Sequence, residues 1–133
     1  MEEKLISLET AKLAKEIGFD IPTLLCYIEG NGNTQYPVSE EYKMKEGTSV
    51  ANFNKDVGCY SIPTLYFLHA YIRIKFKIHV GMDYDSSGWV YFITYMEFKD
   101  EVNWSKDYND YDIALEDGLK RVMKEIVETK NKK

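Results

Sequence analysis

The sharpest chemical feature of the sequence is a run in which basic or titratable side chains alternate with apolar ones. Ile74, Phe76 and Ile78 separate four such side chains, which are Arg73, Lys75, Lys77 and His79. Successive side chains of a β-strand point to opposite faces of the sheet. The run from Arg73 to Met82 is therefore predicted to be a strand with one basic face and one apolar face.

Aromatic residues are predicted to lie beside this basic face. Asp85–Gly88 is typical of a turn, and the run from Trp89 to Phe98 is predicted to be the returning strand. A three-residue loop with Gly88 in the left-handed conformation pairs His79 with Tyr95 and keeps the apolar side chains on one side. Cations beside stackable rings are typical of sites that bind nucleotides or single-stranded nucleic acid. The predicted ligand-binding residues are Arg73, Lys75, Lys77, His79, Trp89, Tyr91 and Tyr95. The alternative is structural, because lysines also keep an exposed strand from pairing edge to edge.

Residues that hold metals or catalyse reactions form no recognisable motif. Asp83–Gly88 resembles the first half of a calcium loop, but such a loop needs a glutamate at its position 12, where Thr94 stands. His69 and His79 lack the spacing of a metal site. Phosphate-binding loops, dinucleotide fingerprints and nucleophile elbows are absent. We predict no metal ion, no cofactor and no catalytic residue.

The two cysteines are predicted to be reduced packing residues. Cys26 and Cys59 do not form a C-x-x-C pair, and free cysteine behaves as a small hydrophobic residue. An enzyme is the third-ranked alternative, with Cys59 or His79 as its reactive centre.

Length and composition predict one soluble domain, residues 1–133. Hydrophobic residues make up 44% of the chain, and its formal net charge of -5 disfavours a general nucleic-acid binder. No apolar run is long enough to span a membrane, and Met1–Lys4 lacks the layout of a signal peptide, which predicts a cytoplasmic protein. The segment from Glu97 to Asp117 holds eight acidic residues against two lysines. The basic tail, Lys130–Lys133, is predicted to fray.

Helix signals are clear at both ends of the chain. Ser7 is a good N-cap for a first helix that Gly18 ends, with Phe19 folding back on Ala14. A last helix is predicted from Asn109 or Asp110, and its apolar face is Tyr111, Leu115, Leu119, Val122 and Ile126. Gly118 beside that face predicts close approach of another element.

The middle of the chain is less regular. Thr23–Ile28 is predicted to be a strand, whereas residues 34–60 are predicted to be short strands or a loop carried over the sheet. Ser61 is expected to cap a second helix with Pro63 in its first turn and a buried stripe of Leu65, Leu68 and Ile72. The fold class is therefore α+β, with about three helices packed on one face of a small antiparallel sheet.

Three segments of the sequence carry a resemblance to a protein family. They are Ile6–Phe19, Tyr60–Val80 and Tyr111–Leu119, and together they resemble small hypothetical proteins encoded by phages and prophages of gut Bacteroidales. The resemblance does not cover residues 30–58, and Leu65-Tyr66-Phe67 stands where the family has a more polar run. That family has no assigned activity. The resemblance implies a phage accessory protein in the cytoplasm of a bacterial host cell.

These observations lead to two functional hypotheses besides the enzyme. The first is a non-catalytic interaction module that binds a host protein through exposed tyrosines and the acidic segment from Glu97 to Asp117. The alternative is a domain that binds a nucleotide or another small anionic ligand on the basic and aromatic sheet face. Neither hypothesis involves a membrane, and both are compatible with a homo-oligomer.

Overall fold

The computed structural model describes residues 5–23, 25–29, 35–37, 53–55 and 58–131 of the chain. They belong to two compact units, Leu5–Thr64 and Leu65–Lys133. The α+β class is confirmed, since helices and antiparallel strands occur in both units. The single-domain organisation stays a prediction.

The first unit contains one α-helix and a three-stranded antiparallel sheet. Its elements are α1 (Leu8–Glu16), β1 (Leu25–Glu29), β2 (Gln35–Pro37), a short 3-10 helix (Phe53–Lys55) and β3 (Cys59–Ile62). The strand order is β2-β1-β3. Short strands are thus found at both edges of the segment 34–60, and the rest of that segment, except the 3-10 helix and Gly58, lies outside the described residues.

Helix α1 begins and ends as its sequence predicts. The Ser7 side chain accepts a hydrogen bond from the Thr10 N–H at 3.3 Å. Gly18 has a φ of +91°, which favours glycine, and the Phe19 N–H donates to the Ala14 carbonyl at 3.0 Å. Ala14 and Phe19 are buried.

The second unit contains two helices and a second antiparallel sheet. Its elements are α2 (Leu65–Phe76), β4 (Ile78–Asp85), β5 (Gly88–Tyr95), β6 (Phe98–Trp104) and α3 (Tyr111–Asn131). The strand order is β4-β5-β6, and both helices contact β4. Fully buried side chains form its core, namely Leu65, Leu68, Ile72, Val80, Ile93, Leu115, Leu119, Val122 and Met123.

The predicted start of the second helix was wrong, although its buried stripe is confirmed. Ser61 lies in β3 opposite Cys26 and donates its N–H to the Asn54 side chain at 2.9 Å. Because Ser61 lies in a strand, four residues before the start of the helix at Leu65, it is not a helix cap.

The predicted strand from Arg73 to Met82 was also wrong in its first half. Helix α2 continues to Phe76, and the Lys77 N–H still donates to the Arg73 carbonyl at 3.1 Å. Lys77 then adopts a φ of +61°, and β4 begins at Ile78. Arg73 and Lys75 therefore lie on a helix.

The hairpin of β4 and β5 differs from the predicted one by a single residue of register. Asp85 is paired with Gly88, so the loop has two residues, and the Asp85 carboxylate accepts the N–H groups of Ser87 and Gly88 at 2.7 and 3.1 Å. His79 consequently lies opposite Thr94 and not Tyr95. A slip of one residue exchanges the two faces of a strand.

The predicted returning strand to Phe98 is two strands. A turn at Met96–Glu97 ends β5, and β6 occupies Phe98–Trp104 within the acidic segment. The Met96 N–H donates to the Lys77 carbonyl at 2.9 Å. This bond joins the end of β5 to the connection between α2 and β4.

Helix α3 is confirmed, including the role of its glycine. The Asp110 side chain accepts the Ile113 N–H at 3.0 Å and so caps the helix. A Cβ at Gly118 would lie 2.7 Å from Val80 Cγ1 and 3.0 Å from Tyr91 Cγ. The helix therefore approaches the sheet most closely at Gly118.

Candidate functional site

The residues predicted to form one ligand site lie on different elements and faces. Tyr91 contacts Gly118 on the α3 side of the sheet. Trp89 lies on the same side, where it contacts Tyr111 of α3. The Tyr95 hydroxyl also donates to α3, at the Glu125 carboxylate. His79 lies on the opposite face, where Phe92 meets it edge to face at 6.5 Å.

The three other predicted residues are not beside these rings on a strand. Arg73 and Lys75 belong to the last turn of α2, and Lys77 forms the connection to β4. The predicted basic and aromatic face is thus corrected, because it required a strand where the chain is helical and a register that differs by one residue.

Four aromatic side chains of the second unit form a surface cluster, here called the aromatic patch: Tyr66, Tyr84, Trp89 and Tyr111. The rings of Tyr84 and Trp89 lie edge to face with centroids 4.9 Å apart, and Trp89 meets Tyr111 in the same way at 4.9 Å. Such geometry stabilises aromatic pairs beyond the area that they bury.

Tyr66 joins the patch from helix α2. Its hydroxyl donates to Asp112 at 2.7 Å, and Asp112 follows Tyr111 in the first turn of α3. This hydrogen bond, with smaller contributions from burial and from the nearby acidic charge, raises the pKa of Tyr66 to about 12. Tyr66 therefore keeps its proton, and its ring position, throughout the physiological pH range.

The outer rings of the patch are exposed and its inner rings are partly covered. Tyr84 is 62% exposed and Tyr66 is 48% exposed, whereas Trp89 and Tyr111 are partly covered. Tyr84 is predicted from the sequence only as part of the turn, and Tyr111 only as part of the helix core. The general abundance of tyrosine was the one sequence signal for this cluster, because its members come from four separate segments.

A second surface feature is a groove of about 540 Å³ along one side of α3. Tyr91 and Tyr108 line one wall, and the helix contributes charged side chains, namely Asp117, Lys120, Arg121, Lys124, Glu125 and Glu128. Of these helix residues only Asp117 was predicted as a contact residue, as the end of the acidic segment.

The charges of this groove are paired with each other or with tyrosines. Asp117 accepts the Tyr108 hydroxyl at 2.9 Å and lies 3.4 Å from Lys120. Glu125 accepts the Tyr95 hydroxyl and lies 3.8 Å from Arg121. Three cations thus share the groove with three acids, and the groove presents no surface of a single charge to an anion.

The face of the sheet away from α3 carries a third cluster. His69 and His79 lie with ring centroids 5.5 Å apart, and Phe92 contacts His79. Trp104 contacts Phe92 at 4.9 Å. The sequence spacing of the two histidines gave no sign that they meet.

Metal-ligating side chains do not cluster in the described part of the chain. Among those residues there is no group of three or more His, Cys, Asp or Glu side chains that could hold a metal ion. Cys26 is buried, Cys59 is partly exposed, and both are free thiols. No helix in the same described ranges is long and apolar enough to cross a bilayer.

Comparisons with known proteins identify no relative of this chain. The scan against protein-family models gives no match, and neither the curated proteins nor the solved structures contain one.

Proposed function

We propose that the chain is a non-catalytic interaction module that binds a host protein in the bacterial cytoplasm through the aromatic patch. The observation that carries this proposal is the exposure of Tyr66 and Tyr84 at the edges of a fixed aromatic cluster. Tyrosine and tryptophan dominate the binding energy of many protein interfaces because they bury a large area with few rotatable bonds.

The patch is well suited to binding because its rings are already held in place. Tyr84 packs on Trp89, Trp89 packs on Tyr111, and Asp112 holds the Tyr66 hydroxyl. Side chains ordered before association lose less conformational entropy when a partner covers them. The hydroxyl groups at the rim also favour a contact that can form and dissociate in water.

Three of the eight acidic side chains between Glu97 and Asp117 are engaged within the chain. Asp110 caps α3, Asp112 accepts the Tyr66 hydroxyl, and Asp117 accepts the Tyr108 hydroxyl. Carboxylates engaged in this way are partly neutralised for a partner, so we place the binding energy on the aromatic rings.

The bacterial host and the phage origin rest on the resemblance of three segments to phage and prophage proteins. That resemblance includes Tyr111, but it departs from the family at Tyr66 and does not reach Tyr84. A partner supplied by the host cell is the natural target of an accessory protein without catalytic groups.

Binding of a nucleotide or another small anion remains the alternative proposal. It has lost its predicted arrangement, since His79 lies on one face of the sheet and Tyr91 on the other. Native mass spectrometry of protein purified from bacterial cells distinguishes the two proposals. A retained mass of nucleotide size would favour the alternative.

Site-specific photo-crosslinking tests the interaction module. A benzophenone amino acid is placed at Tyr84, and for the control at Ile74, which is 69% exposed on α2 and outside the patch. We expect one discrete crosslinked host protein from a Bacteroidales lysate with the probe at 84 and not at 74. In a pull-down with chains that carry no probe, the same partner should be lost when Tyr66→Ser and Tyr84→Ser are combined and kept in Ile74→Ser. Absence of a discrete product at 84, or a product that is a second copy of this chain, would refute a host-protein contact at the patch.

A further inference from the structure

Both histidines of the sequence meet in one place in the second unit. His69 lies on α2 and His79 on β4, with ring centroids 5.5 Å apart and ring planes 23° apart. This is the place where the two elements contact each other across the turn at Lys77. Any change in the charge of either ring therefore acts on the junction of α2 and β4.

A hydrogen bond fixes the proton position on His69. Its Nε2 lies 2.8 Å from the Val80 carbonyl oxygen, and because a carbonyl only accepts, Nε2 must carry a proton. The bond ties the middle of α2 directly to the backbone of β4.

His79 is less well accommodated. Its Nδ1 atom is buried and has no hydrogen-bond partner among the described residues. In the neutral ring this atom can be the bare acceptor, whereas in the protonated ring it must be an N–H donor. A buried N–H without an acceptor is costly, so protonation of His79 favours exposure of the ring to water.

One positively charged side chain, Arg73, acts on both histidine rings. Burial is the largest cause of the lowered pKa of His69 and of His79, and Arg73, four residues after His69 on α2, lowers both further. At His69 the hydrogen bond to the Val80 carbonyl acts in the opposite direction and raises the pKa, and the neighbouring ring of His79 lowers it; burial outweighs the hydrogen bond. From β5 and β6, the described side chains that complete the cluster are the uncharged Phe92 and Trp104.

We propose that the His69–His79 pair is a pH-sensitive junction, which holds α2 against β4 when both rings are neutral and loosens when they are protonated. The pH sensitivity depends on two adjacent imidazoles and one cation, and no carboxylate among the described residues acts on the charged rings. It is independent of the function proposed for the aromatic patch.

The direction of the pH effect follows from the lowered pKa values. The folded state binds histidine protons less readily than the unfolded state, in which histidine has a pKa of about 6.5. The junction is therefore at its most stable above about pH 6.5 and weakens as the pH falls towards the folded pKa values of the two histidines. Opening takes up as many as two protons, one for each ring.

Proton NMR provides a direct test because each histidine gives one resolved ring Cε1–H signal. We expect both histidines to titrate below pH 6.5, and we expect Arg73→Gln to move both pKa values upward. Lys75→Gln is the matched control, since it removes a positive charge from the same turn of α2 and should move them less. In the His79→Gln variant the remaining His69 should titrate at a higher pH than in the parent chain.

Hydrogen exchange shows whether titration opens the junction. After correction for the intrinsic pH dependence of exchange, amides of α2 and the first half of β4 should lose protection between pH 8 and pH 5.5, while those in the middle of α3 keep theirs. Combining His69→Gln with His79→Gln should abolish the difference between α2 and α3. Histidine pKa values at or above 6.5, or a loss of protection that is uniform over the unit, would overturn the proposal. If the double variant does not fold, the comparison of exchange in α2 and α3 of the parent chain still decides it.

Discussion

Gly118 of α3 lies so close to Tyr91 of β5 that a methyl group at position 118 would be 3.0 Å from the tyrosine ring. Val80 is closer still, at 2.7 Å. We expect Gly118→Ala to destabilise the second unit by about 1–3 kcal/mol, as overpacking does, despite the higher helix propensity of alanine. Gly118→Leu should be worse. Urea unfolding measures the change, and Lys124→Ala on the exposed side of α3 is the control. An unchanged midpoint in Gly118→Ala would contradict the close approach.

Gly81 and Phe92 make a second close pair, on the other face of the sheet. The Phe92 ring lies over Gly81, and a Cβ there would collide with the ring carbons. Gly81→Ala should be destabilising by about 1–3 kcal/mol in the parent chain. In a Phe92→Ala background the same change should cost much less, because the obstructing ring is gone. A double-mutant cycle measures this coupling, and additive effects would show that the ring moves aside freely.

The Tyr66–Asp112 hydrogen bond has a signature at alkaline pH. Because the pKa of Tyr66 is raised to about 12, the hydrogen bond stabilises the folded state fully below the unfolded pKa of about 10. This stabilisation is lost as the pH rises through 12. We expect Asp112→Asn to bring the Tyr66 titration back towards 10, and Asp83→Asn to leave it unchanged. Ultraviolet titration, compared with Tyr66→Phe, isolates this one phenol. A Tyr66 pKa that is insensitive to Asp112→Asn would remove the hydrogen bond from the patch.

The two thiols should differ in reactivity. Cys26 is 1% exposed on β1, whereas Cys59 on β3 is partly accessible. With Ellman's reagent we expect Cys59 to react in the folded protein and Cys26 only after unfolding. Cys59→Ser should therefore remove the fast phase and Cys26→Ser should leave it. Equal rates for the two thiols would indicate that the first unit opens rapidly.

Lys77 holds a backbone conformation that favours glycine. A side chain at a φ of +61° costs about 1–2 kcal/mol, while glycine loses about 0.5–1 kcal/mol through its flexible unfolded state. We expect Lys77→Gly to be neutral or stabilising by up to about 1 kcal/mol, and Lys77→Ile to be destabilising. Lys75→Gly, inside α2, should instead cost about 1 kcal/mol. Thermal unfolding of the three variants checks this order, and a clear loss in Lys77→Gly would refute it.

Elements with local signals could be predicted from the sequence. Ser7, Gly18 and Phe19 define both ends of α1 through backbone bonds within a few residues. Likewise Asp110 and the apolar face of α3 identify that helix, and Gly118 marks where it meets the sheet. In each case the residue type dictates a conformation regardless of the rest of the chain.

The segment from 73 to 79 could not be predicted because two periods fit it. Alternation favours a strand, but Phe76 also follows Ile72 by four residues, as in a helix. Packing of Leu68 and Ile72 in the core favours the helix. The chain then changes from helix to strand at Lys77, and a lysine does not predict a left-handed φ.

The candidate sites were missed for related reasons. The two possible loop lengths at Asp85–Gly88 place different residues of β5 on the face of His79, so the error in register put Tyr95 and not Phe92 beside it. Strand β6 contains Asp100 and Glu101, which are poor strand formers, and is stabilised by pairing with β5. Contacts between distant segments, such as Tyr66 with Asp112, leave no local pattern.

The two connections of β4 differ in how they tolerate a change of chain length. At its start, Lys77 donates its N–H to the Arg73 carbonyl of α2 and accepts the Met96 N–H with its own carbonyl, so one added residue would break a bond on one side or the other. At its end, Ser86 and Ser87 are exposed, and the Asp85 carboxylate closes the hairpin by accepting the Ser87 N–H. New termini or a peptide tag can therefore be introduced between Ser86 and Ser87, whereas the chain between Phe76 and Ile78 must keep its length.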